Sequence, residues 1–182
     1  GFNALKFLEF AQSEKITWYS GVPTMHQTIL IRTDKNLEAA KNLKLRFVRS
    51  SSASLPPTVF EKLNKVFDCP VIEAYGMTEA THQMTSNPLP PKLQKPGFVG
   101  IPAGPKVCIM NDNNEILKQG EEGEVCIKGA NVTLGYENNP EANKNSFSNG
   151  WFRTGDQGYF DKDGYLKISG RLKEIINKGG EK

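Results

Sequence analysis

Gly150-Trp151-Phe152-Arg153-Thr154-Gly155-Asp156, followed by Gly170-Arg171-Leu172-Lys173-Glu174, is the stretch on which the reading of this chain turns. Thr154-Gly155 reads as the end of a strand. That leaves Asp156 at a strand end, where a carboxylate can accept two hydrogen bonds from vicinal hydroxyls, as the ribose-binding acid of dinucleotide folds does. Arg171 carries a planar guanidinium fork suited to ribose or phosphate oxygens. The plain alternatives are a turn aspartate and a surface arginine.

Around this stretch, residues 98–170 share one rhythm. Asn111-Asp112-Asn113-Asn114, Gly120-Glu121-Glu122-Gly123 and Asp161-Lys162-Asp163-Gly164 supply the positive φ angles of tight hairpins. Between them Val107–Ile109, Glu124–Ile127 and Tyr165–Ile168 read as strands, so this half is a small antiparallel β-barrel-like subdomain.

Upstream the grammar changes. Leu5, Leu8 and Ala11, with Phe7 beside them, give a helical stripe. Pro23 and Pro57 can each open a helix, because the missing N–H is not needed in a first turn. The second of these helices is expected to run to about Phe67. Ile16–Tyr19, Leu45–Val48 and Pro70–Glu73 read as short strands, separated by about 25–30 residues, which fits right-handed crossovers in a parallel sheet. The expected fold class is α/β, with a parallel βαβ part over residues 1–90 and the antiparallel part over 91–169. Asn87-Pro88-Leu89-Pro90-Pro91 joins them and cannot continue a ladder.

Ligands of open parallel sheets bind beyond the carboxyl ends of the strands. Two loops fall there, Arg49–Leu55 and Ala74–Thr81. In the first, Ser51, Ser52, Ala53 and Ser54 are small enough for a flat ring to approach the backbone. In the second, Tyr75 can stack on adenine, Gly76 and Met77 bring backbone close, and Thr78 can donate to a phosphate. Glu79 offers the hard carboxylate oxygen that Mg2+ prefers. An ordinary capping loop and a solvated first helical turn are the unremarkable readings of the same residues.

The composition limits the classes. Hydrophobic residues make up 37% and charged residues 24% of 182, which suits a globular chain rather than a disordered one. A net charge of +3, with lysines scattered rather than striped, does not call for nucleic acid. No apolar run approaches a membrane span. Cys69, Cys108 and Cys126 lack metal-type spacing and read as buried reduced thiols of an intracellular protein. The chain begins at Gly1 rather than Met, so the true N-terminus and any address on it are expected to lie elsewhere. Nothing in the sequence sets an oligomeric state.

Taken together, Tyr75–Glu79, Gly123–Tyr136, Trp151–Leu166 and Gly170–Lys182 resemble successive motifs of the adenylate-forming superfamily of acyl-CoA synthetases, luciferases and peptide-synthetase adenylation domains. Trp18–Gln27, Ser52–Leu55, Glu79–Met84, Thr85–Pro90 and Lys178–Lys182 bring the chain nearer to the oxalate–CoA ligase branch, which includes peroxisomal-CoA synthetases and 4-coumarate–CoA ligase-like proteins. The resemblance implies an ATP-dependent, AMP-forming acid–CoA ligase. Its small carboxylic acid, oxalate the favoured one, attacks ATP to form an acyl-adenylate, and CoA then takes the acyl group.

By position, the resemblance places Ser51–Ser54 and Gly76–Met77 along adenine, with Tyr75 stacked on it. Thr78 would touch the α-phosphate, Glu79 would bind Mg2+, and Asp156 and Arg171 would hold the ribose. Ser52 and His82 would face the acid, and a hydroxyl and an imidazole are the donors a dianion needs. Lys173 would be the hinge of a C-terminal domain, and Lys178, Gly179 and Gly180 would approach CoA. Residues 170–182 are then the hinge and the start of a truncated domain.

The family's upstream phosphate loop and the lysine of its C-terminal domain have no counterpart in 1–182. The chain is therefore expected to be an internal fragment of a protein roughly three times longer, inactive by itself, from the cytoplasm or the peroxisome. Ligation of a coumarate-like or medium-chain acid, or a non-catalytic nucleotide-binding role, are the other readings.

Overall fold

The computed structural model describes residues 2–33 and 36–172, and these form two compact units. The first takes the chain up to Ala74 together with Asn87–Gly97. Its elements run α1 (Phe7–Ser13), β1 (Trp18–Gly21), α2 (Pro23–Thr33), α3 (Leu37–Asn42), β2 (Phe47–Ser50), α4 (Pro57–Phe67) and β3 (Val71–Tyr75). The last residue of β3 already belongs to the second unit. The three strands pair in parallel, as the spacing predicts.

α4 shows how the sequence builds this unit. Pro57 starts it, Phe60, Leu63, Val66 and Phe67 fall on one buried face, and Asp68 stops it in the left-handed region at φ 48°. Each of those side chains contributes about 1.5–3 kcal/mol by leaving water. They meet Tyr19, Val48 and Val71, three residues in register across the sheet. Leu5 departs from the expected stripe. An Asn3 side-chain cap on its N–H holds it ahead of α1, it stays 68% exposed, and Phe7 packs on the core instead.

The proline-rich connector folds with this first unit. Prolines cannot donate, so side chains and nearby amides pin it. The Asn87 N–H donates to the Glu73 carbonyl at 2.8 Å, Lys95 N–H to Asn87 Oδ1 at 2.9 Å, and Gly97 N–H to Glu73 Oε1 at 2.7 Å.

The second unit comprises Tyr75–Ser86 and the described residues from Phe98 onward. β4 (Thr85–Ser86) pairs antiparallel with β5 (Ile101–Pro102). β6 (Lys106–Met110), β7 (Gly123–Lys128), β9 (Trp151–Phe160) and β10 (Leu166–Arg171) form an antiparallel sheet in the order β6-β7-β9-β10, and the short β8 (Phe147–Ser148) also pairs with β9. A helix, α5 (Pro140–Ser146), starts on an Asn139 side-chain cap that accepts from Ala142 N–H at 3.1 Å.

One expectation is corrected here. Asp156 is not at a strand end but in the middle of β9, on a bulge. Glu124 of β7 faces Gln157 and Cys126 faces Arg153, so Val125 alone opposes Thr154, Gly155 and Asp156. Gly155 takes φ +76° to make the bend. Its freed N–H donates to Glu124 Oε1 at 2.8 Å, and Thr154 Oγ donates to the Val125 carbonyl at 2.8 Å. The residues that looked like a terminator instead bend a continuous strand, which re-aims a side chain. All three cysteines are buried and free of disulfides.

Candidate functional site

Asp156 lies directly opposite Arg171 in the β9–β10 register. Arg171 Nε donates to Asp156 Oδ1 at 2.9 Å, and the Tyr75 hydroxyl donates to Oδ2. Three residues chosen from sequence, 81 and 15 positions from one another in chain order, are thus brought together. The carboxylate is 6% exposed, whereas the arginine side chain is 66% exposed, so a buried anion faces solvent through its cation. Burial first, and the Asp156 carboxylate second, push the Tyr75 phenol well above its ordinary pKa, and it remains a donor at every physiological pH. A carboxylate has about four lone-pair sites. The two bonds drawn here leave acceptor capacity for vicinal hydroxyls.

Bulge support comes from residues with no role expected from sequence. Arg153 Nε donates to Glu124 Oε2 at 2.7 Å, and its Nη1 donates to Asn114 Oδ1 at 2.5 Å. Glu124 is 8% exposed and Arg153 16%. This ion pair holds the same carboxylate that accepts the Gly155 N–H, so it fixes the backbone one residue before Asp156.

The segment after Tyr75 is a tight buckle. Thr78–Ala80 forms one 3₁₀ turn. His82 N–H returns to the Met77 carbonyl at 3.0 Å, and Met84 N–H to that of Tyr75 at 2.9 Å. Thr81 and His82 both take positive φ, at 50° and 77°. Gly76 is required by this packing: a Cβ there would stand 1.2 Å from the His82 carbonyl oxygen. Gly76 and His82 are therefore joined, and His82 is exposed.

Glu79 sits half-buried in this turn. The Tyr136 hydroxyl donates to its Oε1 at 2.8 Å, and its backbone carbonyl accepts from Thr133 N–H at 2.7 Å. Asn131 ties the buckle down by donating to the Ala80 carbonyl at 2.8 Å, and Thr81 Oγ donates to the Asn131 carbonyl at 2.9 Å. Tyr136 and Asn131 were not singled out from sequence. Their partners lie about fifty residues away, and no local signal marks them. Thr78 is exposed at the head of the turn.

In the first unit, Ser51 is buried and accepts from Arg49 Nη1 at 3.1 Å, which also donates to Ser20 Oγ at 3.1 Å. Ser52, Ala53 and Ser54 are exposed, and Ser52 takes φ 72°. Lys173, Lys178, Gly179 and Gly180 lie outside the described residues.

Among the described residues no group of three or more His, Cys, Asp or Glu is placed to hold a metal ion. A lone Glu79 fits a cation of the Mg2+ type, which takes one or two carboxylates and completes its shell with water and substrate phosphates. Among the same residues no helix is long and apolar enough to cross a membrane.

Residues 1–137 match the family model described as AMP-binding enzyme. The whole chain is 54% identical to an oxalate–CoA ligase of Arabidopsis thaliana, covering 35% of that protein. It is 50% identical to an oxalate–CoA ligase of Saccharomyces cerevisiae, covering 33%. The chain thus spans about a third of the length of these relatives. Among solved structures, the o-succinylbenzoate–CoA synthetase of Bacillus subtilis in complex with ATP and magnesium matches 99% of this chain and 36% of its own, with a TM-score of 0.83 and 31% identity. ATP-bound MatB from Rhodopseudomonas palustris matches 93% of this chain and 33% of its own, with a TM-score of 0.84 and 32% identity.

Proposed function

We propose, because this chain belongs to the AMP-binding enzyme family, that the protein it forms part of is an ATP-dependent acid–CoA ligase with oxalate as its acid. The observation that carries the reading is the buried Asp156 carboxylate clasped by Tyr75 and Arg171. It is an oriented anion with acceptor capacity to spare, which suits the vicinal hydroxyls of a ribose.

In this reading Asp156 accepts from both ribose hydroxyls and Arg171 donates to a ribose oxygen. Ser51–Ser54, Gly76 and Met77 line adenine, and Tyr75 supports it by its ring while its hydroxyl orients Asp156. Thr78 donates to the α-phosphate. Glu79, oriented by Tyr136, holds Mg2+. When bound, that cation neutralises phosphate charge. An acid carboxylate oxygen attacks the α-phosphorus in line, and the bond to pyrophosphate breaks. The thiolate of CoA then attacks the acyl carbon, and AMP leaves with the electron pair of the cleaved C–O bond. The first nucleophile is already an anion and needs no general base.

Oxalate is favoured by two relatives of that name at 54% and 50% identity and by polar side chains where a greasy acid would want apolar ones. Ser52 and His82 are the donors to its distal carboxylate. Lys173 is the hinge, and Lys178–Gly180 the approach to CoA. The buried thiols suit a reducing compartment, cytoplasm or peroxisome.

The test is the whole protein with ATP, Mg2+ and CoA, offered oxalate, 4-coumarate and a medium-chain fatty acid. AMP and oxalyl-CoA should form with oxalate at least tenfold faster than either alternative thioester. Equal rates would remove the oxalate assignment. Nucleotide binding without AMP formation from any acid would favour a non-catalytic module.

A further inference from the structure

Gly21, Ser50 and Glu73 stand in register across β1, β2 and β3 and form the last rung of the parallel sheet. Paired residues of neighbouring strands point to the same face, here the one that buries Tyr19, Val48 and Val71 one rung earlier. At Gly21 the position of a side chain is taken by His26 of α2, whose ring carbon lies 3.1 Å from where a Cβ would be. The rung is therefore His26, Ser50 and Glu73. They are 0%, 1% and 3% exposed.

Three polar groups side by side in a core demand partners, because an unpaired buried donor or acceptor costs about 1–3 kcal/mol. His26 Nδ1 has the Tyr19 hydroxyl at 3.3 Å, and Glu73 Oε1 accepts from Gly97 N–H at 2.7 Å. Leu55 N–H also lies against the Glu73 carboxyl and favours its charge. Among the described residues His26 Nε2 and Ser50 Oγ have no hydrogen-bond partner, while the backbone of Gly21 and Arg49 also faces the imidazole. Set on one rung by the register, these two buried atoms and the Glu73 carboxyl can supply the two to four polar contacts that an internal water needs.

This rung also brackets one loop. Ser50 is the residue before Ser51–Ser54, and Leu55, the residue after, packs in the core with its N–H on Glu73. We propose that His26, Ser50 and Glu73 are joined through internal water into one buried hydrogen-bonded rung, and that this rung is a positioning element holding both ends of the Ser51–Ser54 loop. None of the three touches substrate. They set the backbone of a loop that does, so the positioning role rests on the functional reading above, while the rung itself does not.

Two experiments separate those claims. A high-resolution crystal structure of the whole enzyme should show a water within hydrogen-bond distance of Ser50 Oγ, His26 Nε2 and the Glu73 carboxyl. Ser50 Oγ and His26 Nε2 in van der Waals contact with apolar atoms alone would overturn the rung, whatever the protein catalyses. Calorimetric AMP affinity and steady-state kinetics then test positioning. Ser50→Ala should weaken AMP about tenfold and raise KM for ATP by a similar factor, with kcat within twofold. Glu73→Leu should do more, and Glu73→Gln, which keeps an acceptor for the two amides, less. Unchanged AMP affinity in Ser50→Ala and Glu73→Leu would overturn the positioning role. Weakened AMP binding in a protein that ligates no acid would uphold it and remove only the ligase reading.

Discussion

Asp156 and Glu73 are both carboxylates buried against a sheet, 5% and 3% exposed, yet they are stabilised on different terms. Asp156 has a guanidinium at 2.9 Å and a phenol on its other oxygen. Among the described residues Glu73 is met by backbone amides rather than by a cation. A carboxylate held by a cation and a phenol is an oriented acceptor, the role proposed for Asp156 toward a ligand. One held by amides alone cannot offset its lost hydration, and burial raises Glu73 to a pKa of about 7. The contrast separates a cation-paired carboxylate, proposed for recognition, from an amide-held one, proposed for positioning.

The comparison breaks first at Asp156. On the proposed ribose role, Asp156→Ala in the whole enzyme removes two hydrogen bonds to a charged group, at about 1.5–3 kcal/mol each. ATP–pyrophosphate exchange should fall about 100-fold or more. A loss under fivefold would mean that this carboxylate serves only the fold.

Glu124 sharpens it as another carboxylate of the paired kind. Glu124→Ala strands Arg153, 16% exposed, without its anion. Breaking a buried pair costs about 3–5 kcal/mol, which denaturant unfolding should register. Exchange activity should fall as well, because the Gly155 N–H loses its acceptor.

Glu73 is read by pH. Its folded pKa is raised, so the stability it lends is present below about 4.5 and lost as pH rises through about 7. His26 runs the other way. Burial lowers it to about 4, so its contribution is present above about 6.5 and lost as pH falls through about 4. Tyr19 and the backbone of Gly21 and Arg49 face the imidazole, and the Gly97 and Leu55 amides face the carboxyl. Between pH 4.5 and 6.5 the two slopes oppose each other. Glu73→Gln should expose the histidine slope, with stability rising by up to about 1.4 kcal/mol per pH unit relative to wild type across that window. Parallel curves for wild type and variant would contradict the assignment.

The smallest effect belongs to Tyr75. Tyr75→Phe keeps the ring and deletes one donor to Asp156, while Arg171 remains. KM for ATP should rise about tenfold, the equivalent of one hydrogen bond to a charged group, with melting temperature little changed.

Legibility from sequence follows the range of the forces involved. α4 could be read to the residue, because proline chemistry and the spacing of Phe60, Leu63, Val66 and Phe67 are local. α3 and α5 could not. α3 buries only Ala40, and α5 buries nothing, so neither leaves a periodic trace. β9 reads as ending early because Gly155 and Asp156 are poor strand formers, tolerated here where Glu124 accepts the Gly155 N–H at the bend. The roles proposed for Glu79, Asp156 and Arg171 come from residue type and motif. Glu73 was not legible, because a glutamate in a short strand reads as solvent-facing until its register is known.

Gly76 carries a consequence for redesign. Its single hydrogen is the only group that fits beneath the His82 carbonyl, so the turn proposed to face nucleotide and the histidine proposed to face the acid are parts of one clip. Selectivity for a different acid should therefore transplant as a cassette, residues 75–83 together with Asn131, rather than by repainting position 82 alone.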